Sequence, residues 1–201
     1  VIMGDIGCYT LGVQKPLEAL DSCLCMGASI GKAAGMSQSG IKNVVAVIGE
    51  STFLHSGITA LLNSVYNKAN ILVLILDNNT VAMTGHQPTP VSGINARGEK
   101  TSRISLEEIC RACGVDSVDV VDPYKLNEMK EVINKRLKED GVRVIIARRE
   151  CVILRGIERG KQYTVDGCKA CKKCLELGCP AIGFDSKNNT AVISYLCTGC
   201  D

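Results

Sequence analysis

The chain has 201 residues, a hydrophobic fraction of 46% and near-balanced charge, with 23 Lys and Arg against 21 Asp and Glu. That apolar content suffices for the core of one ordinary domain plus a small second one, while a net charge of +2 leaves no footprint for nucleic acid or an anionic membrane surface. The longest apolar run, ILVLIL at 71–76, falls far short of the roughly 20 residues that a membrane helix needs, so a cytoplasmic protein without nucleic-acid or membrane partners is expected.

In chain order, the opening VIMGD enters a turn without an initiator Met or a polar approach, as expected of a segment cut from a longer chain. Residues 1–150 then alternate β-branched runs with helical patterns. NVVAVIG (43–49), NILVLILD (70–77), DSVDVVD (116–122) and VRVIIARR (142–149) read as strands. TFLHSGITALLNSVYNKA (52–69) supplies a crossover helix between the first two, and 105–113 and 124–139 supply two more. This alternation predicts an α/β module built on a parallel sheet with helices on both faces. Residues 80–103, rich in Thr, Gly, Pro and Ser, are too long for an ordinary connection and read as a functional loop. A linker is expected over 151–165, followed by a cysteine-rich module over 166–201.

Two strand ends carry candidate chemistry. GESTFLHSG (49–57) and LDNN (76–79) each begin where a predicted parallel strand finishes, one crossover apart, which sets Glu50 and Asn78 beside one crevice. A carboxylate and an amide oxygen are hard ligands suited to Mg2+, and a helix starting near Ser51 favours an anion at its N-terminus. The physical reading is a diphosphate held through Mg2+. Gly49-Glu50-Ser51 by itself also describes an acidic helix cap.

The cysteines follow a different logic. GCKACKKCLELGCPAIGF places Cys168, Cys171 and Cys174 at two-residue spacings and Cys179 before Pro180, close to the bacterial ferredoxin run except that four residues rather than three precede the last cysteine. Residues 180–196 can form a hairpin, after which CTGC opens a second half. One 4Fe–4S cluster would take Cys168, Cys171 and Cys174, and a second would take Cys179, Cys197 and Cys200, each with a remaining ligand expected beyond Asp201. A structural zinc site on four of these thiolates is the alternative, although three ligands at this spacing are more crowded than in zinc ribbons. Lys169, Lys172 and Lys173 read as a solvated basic face or a docking patch. Cys110 and Cys113 fall on a helix packing face, and Cys8, Cys23, Cys25 and Cys151 read as small hydrophobes.

Gly49-Glu50-Ser51 followed by Asn78-Asn79 is similar to the thiamine diphosphate motif. Together with GDIGCYTLG, CMGASIGKAAGMS, STFLHSG, TGHQPTP and the cysteine runs, the chain resembles the 2-oxoacid:ferredoxin oxidoreductases over nearly its whole length. The resemblance implies Mg2+ ligation by Glu50, by the Asn78 side chain and by the Thr80 carbonyl, with Asn79 as the register alternative. Glu50 stands where the family has Asp, one methylene shorter. Gly49 and Ser51 would flank the diphosphate. Cys25, Met26 and Gly27 would contact the aminopyrimidine, unless Gly27, Gly31 and Gly35 merely pack a helix. His55 and His86, the two histidines, fall inside matching motifs and are either active-site or structural residues.

The implied cofactors are thiamine diphosphate, Mg2+ and two 4Fe–4S clusters, the module over 166–201 being ferredoxin-like and incomplete. The implied reaction is oxidative decarboxylation of an aryl 2-oxoacid such as indolepyruvate. Electrons would pass through the clusters to ferredoxin, and coenzyme A would take the acyl group. A second (beta) subunit is an implied partner. The family's cofactor-activating Glu belongs to a pyrimidine-binding module not found in these residues, so the segment alone is expected to be inert. The rival readings are a non-oxidative thiamine diphosphate 2-oxoacid decarboxylase with a structural metal site, and a stand-alone ferredoxin-like electron carrier.

Overall fold

A computed structural model describes residues 1–154 and 160–200. Its main sheet contains β1 (Ile2–Gly4), β2 (Ser22–Cys23), β3 (Val44–Gly49), β4 (Ile71–Asp77), β5 (Ser117–Val121) and β6 (Val142–Arg148), in the spatial order β2-β1-β3-β4-β6-β5. Every pairing is parallel. Register pairs Gly49 of β3 with Leu76 of β4, and Asp77 of β4 with Arg148 of β6, so these three strands finish nearly level. That shared edge positions the site. Ile71, Leu72, Val73 and Ile75 of β4 and Val144, Ile145 and Ile146 of β6 are all buried, because both sheet faces are covered there.

Helices α1 (Ala28–Gln38), α2 (Glu50–Thr52), α3 (Ile58–Tyr66), α4 (Leu106–Ala112) and α5 (Leu126–Leu137) connect the strands. Ile30 and Ala33 of α1, Leu61 of α3 and Leu106 and Cys110 of α4 share one cluster with Ile48, Val73 and Ile146 of the sheet. On the opposite face, Met129, Val132, Ile133 and Leu137 of α5 pack over Leu72, Val121 and Ile145. Ser105 caps α4, its Oγ accepting the Glu108 N–H at 3.2 Å. The strands and helices expected between 43 and 149 appear at their expected places. The structure adds β1, β2 and α1, two very short strands and a helix rich in Gly, Ala and Ser, none of which carries a strong apolar period.

Helix α2 runs into α3 through a π-helical turn, Phe53–Gly57. A Cβ on Gly57 would lie 2.9 Å from the Phe53 ring and 3.0 Å from Ile48 Cδ1, so only glycine lets this turn sit against β3. Wide turns of this kind are common beside functional sites.

An ion-pair network ties α4 to the sheet's edge. Arg148 donates to Asp77 at 2.7 Å and, with both Nη groups, to Glu107 at 2.8 and 3.0 Å. The Arg148 hydrogen bonds hold the Glu107 carboxyl down from 4.5 to about 2. Because the folded value is depressed, this contribution is present above pH 4.5 and lost as pH falls toward 2. Glu107→Gln is therefore expected to lower the melting temperature by a few degrees at pH 7 and to flatten the acid limb in that window. A variant with an unchanged acid limb would contradict the assignment.

Residues 160–200 hold a 3-10 turn at Lys173–Leu177 and an antiparallel hairpin of β7 (Ile182–Asp185) and β8 (Thr190–Ile193), where the sequence predicts one. Asp185 closes the hairpin by accepting the N–H groups of Lys187 and Asn188. The linker expected over 151–165 lies partly outside the described residues. Cys110 and Cys113 are buried, and burial pushes the Cys110 thiol up to about 12. Among the described residues no helix is long and apolar enough to cross a membrane.

Candidate functional site

A cleft of about 370 Å³ opens at the C-terminal ends of β1, β3, β4 and β6. Gly49, Glu50, Ser51, Asn78 and Thr80 all line it, so the two strand-end motifs converge as their spacing predicts. Helix α2 begins at Glu50, with Gly49 as its N-cap.

Glu50 dominates the electrostatics. It is 3% exposed, and its Oε1 has no hydrogen-bond partner. Burial, reinforced by the charge of Asp77, raises its carboxyl to about 7 against the opposing pull of nearby backbone N–H groups. A dry carboxylate oxygen without a partner, beside a second carboxylate, lacks a positive charge, and a divalent cation fits that deficit. Asn78 Oδ1 accepts the Thr80 N–H at 3.2 Å, which turns the chain so that both residues face the cleft.

Asn79 points elsewhere. Its φ of +62° turns it out of the strand, its Nδ2 donates to Glu150 at 3.4 Å, and it lines a separate polar cavity with Arg103, Glu107 and Arg148. The cleft therefore receives Asn78 and not its register alternative. Met26 lines the cleft, whereas Cys25 is exposed and lies outside the lining. Gly27 is left-handed, with φ +83°, and a Cβ there would meet Ser56 Oγ at 2.2 Å. Gly31 and Gly35 have open space at the same position, so tight helix packing applies at Gly27 alone. His55 is exposed on the π-helical turn. His86 is half-buried with an unpartnered Nδ1, and neither histidine lines the cleft.

Sequence reasoning assigned no role to Asp5 or Tyr9. Asp5 is fully buried, and its carboxylate accepts the N–H groups of Gly27 (2.8 Å), Ser29 (2.9 Å) and Ile6 (2.9 Å), anchoring the start of α1 to the end of β1. Tyr9 lines the cleft and its hydroxyl accepts the Gly49 N–H at 3.0 Å, while burial lifts its phenol above the usual value. GDIG and CYT carry both residues, but a three-residue strand gives no periodic signal.

The cysteine run builds a second concavity. Cys168, Cys171 and Cys174 line one cavity of about 420 Å³ with Ile182, Ala191 and Ile193. Positive φ at Gly167, Ala170 and Lys172 winds the backbone around it. Cys168 Sγ accepts the N–H groups of Ala191 (3.3 Å) and Ala170 (3.4 Å), which lower its thiol pKa and favour the thiolate. Cys179, Cys197 and Cys200 lie outside this lining. Among the described residues, no group of three His, Cys, Asp or Glu side chains converges on a point that could hold a single metal ion. Lys172 covers the Phe184 ring at 4.6 Å.

Comparison with known proteins places the α/β part of the chain in a family. Residues 5–147 match the family described as "Thiamine pyrophosphate enzyme, C-terminal TPP binding domain". The chain is 44% identical to indolepyruvate oxidoreductase subunit IorA of Archaeoglobus fulgidus over 98% of its length, spanning 32% of that relative. It is 27% identical to sulfopyruvate decarboxylase subunit beta of Methanococcus maripaludis, over 61% of the chain and 60% of the relative. Among solved structures, 2-oxoglutarate:ferredoxin oxidoreductase from Magnetococcus marinus shares the fold, with a TM-score of 0.69 at 15% identity over 78% of this chain and 56% of that one. The chain thus spans about a third of the indolepyruvate oxidoreductase subunits it matches. With a matching family over residues 5–147 and the strand-end motifs converging in one cleft, the chain belongs to the thiamine pyrophosphate enzymes, and its relatives at 40–44% identity are indolepyruvate oxidoreductase subunits IorA.

Proposed function

We propose that residues 1–150 hold thiamine diphosphate and Mg2+, and that residues 166–201 belong to a ferredoxin-like 4Fe–4S module, within an oxidoreductase that converts an aryl 2-oxoacid such as indolepyruvate, with coenzyme A, to an acyl-CoA and CO2. Bound thiamine diphosphate supplies the carbanion-stabilising chemistry of decarboxylation. The chain's own residues bind and orient. Glu50, the Asn78 side chain and the Thr80 carbonyl hold Mg2+, Ser51 and Gly49 border the diphosphate, and Tyr9 and Met26 shape the wall. Cys168, Cys171 and Cys174 hold one cluster, and Cys179, Cys197 and Cys200 serve a second. Clusters held by these cysteines would supply a one-electron path to ferredoxin. A beta subunit completes the enzyme, and residues 1–201 alone are inert.

The observation carrying the oxidative reading is the cavity lined by three cysteines in the same chain as the cofactor cleft. A non-oxidative decarboxylase would use it only for a structural metal, not for electron transfer. The test is anaerobic assay of the full-length polypeptide with its partner subunit, measuring ferredoxin reduction that requires indolepyruvate, coenzyme A and thiamine diphosphate. Cys171→Ala is expected to lose that reduction together with part of the bound iron. Release of CO2 without ferredoxin reduction or bound iron would replace this reading with the decarboxylase one.

A further inference from the structure

The residue after β6 brings a guanidinium to the cofactor cleft. Asp77 and Arg148 are register partners on neighbouring strands, so Asn78 and Arg149 leave the sheet side by side. Their pairing continues past its edge, with the Arg149 N–H on the Asp77 carbonyl at 3.0 Å and the Cys151 N–H on the Asn78 carbonyl at 3.1 Å. Strand alternation then sends Asn79, Arg148 and Glu150 to the polar cavity, and Asn78 and Arg149 to the cleft.

The side chain is held from one edge and one face. Arg149 Nη1 donates to Asp122 Oδ2 at 2.6 Å, and the guanidinium lies 3.8 Å from the centre of the Tyr124 ring. Asp122 is itself fixed, its Oδ1 accepting the Tyr124 N–H at 3.0 Å in the turn whose Pro123 also lines the cleft. An arginine so restrained loses little freedom on binding, and its planar fork matches phosphate oxygens. Charge points the same way. A diphosphate carries more negative charge than one Mg2+ neutralises, and Glu50 adds another once ionised. Asp122 takes one Nη of Arg149, and the guanidinium's other N–H donors, one strand from Asn78, are available to phosphate oxygens.

We propose that Arg149 binds a phosphate group in this cleft, foremost the diphosphate of the cofactor, which Mg2+ and the guanidinium then grip from neighbouring strand ends. The proposal rests on the thiamine diphosphate reading above. Coenzyme A is the other phosphate source. The experiment titrates the full-length complex by calorimetry with three probes: thiamine diphosphate with Mg2+, inorganic diphosphate with Mg2+, and coenzyme A. Arg149→Gln is expected to weaken both diphosphate probes by about 10- to 100-fold, with Arg149→Lys intermediate, coenzyme A unchanged and the ligand-free melting temperature close to wild type. A loss confined to coenzyme A keeps the phosphate role and moves it to that ligand. Unchanged binding of all three probes by a folded Arg149→Gln overturns it. If that variant does not fold, Arg149→Lys, which keeps a cation opposite Asp122 but loses the planar fork, is expected to weaken the same diphosphate probes by less, and unchanged binding there overturns the proposal equally. Wild-type complex that binds neither diphosphate probe would sink the cofactor reading itself, and the proposal with it, an outcome distinct from a null effect of the variants.

Discussion

Glu50→Gln is expected to abolish Mg2+-dependent binding of thiamine diphosphate and, in the absence of ligand, to raise the melting temperature at pH 8. Both effects follow from the buried carboxyl with an unpartnered Oε1. Its value rises from 4.5 in an unperturbed chain to about 7 in the fold. Between those pH values the folded state keeps a proton that the unfolded state has released, so the ligand-free protein loses stability as pH rises through this window. By pH 8 the loss is nearly complete, on the order of 3 kcal/mol. Gln at this position removes the loss, while at pH 4 the variant and the wild type should melt alike. Mg2+ reverses the sign for the wild type alone, because the cation competes with the proton for the carboxylate. Melting scans at pH 4 and 8, with and without Mg2+ and thiamine diphosphate, separate these terms. A variant that still gains thermal stability from the pair of ligands would remove Glu50 from the metal site.

Asp5→Ala should be the most destabilising single change near the cleft, by about 3 kcal/mol, since it deletes a buried carboxylate and leaves one buried and two part-buried N–H donors without their acceptor. The donors concerned are Gly27 and Ser29, at the start of α1, and Ile6, at the exit from β1. Met26 immediately precedes the Gly27 anchor and lines the cleft, so cofactor affinity should fall together with stability. Chemical denaturation gives the first quantity and calorimetric titration the second. Full affinity in a destabilised variant would show that Met26 holds its place without the Asp5 anchor.

Much of this site was legible before any coordinates. Glu50 and Asn78 could be placed together because each closes an apolar run, and parallel strands linked by a helix end on the same side of a sheet. The cysteine spacing brings Cys168, Cys171 and Cys174 around the second concavity, since two-residue intervals oblige the backbone to wrap tightly. Asp5, Tyr9 and Arg149 were not assigned a role. Asp5 acts on residues more than twenty positions away, Tyr9 reaches Gly49 across the sheet's edge, and Arg149 reads in sequence as the charged end of a strand. Their partners are set by strand order, which places β1 beside β3 and β6 beside β4.

By itself, then, the sequence determined the α/β alternation, the strand-end carboxylate and amide, and the clustered thiols, because these depend on periodicity and spacing along the chain. Tertiary structure decided between Asn78 and Asn79, kept His55, His86 and Cys25 out of the cleft lining, and brought Arg149 into it. Which side of a sheet edge a residue faces depends on register with neighbouring strands. Whether a carboxylate such as Glu50 keeps its proton depends on burial and on the charge of Asp77 beside it, and neither quantity is local in the chain.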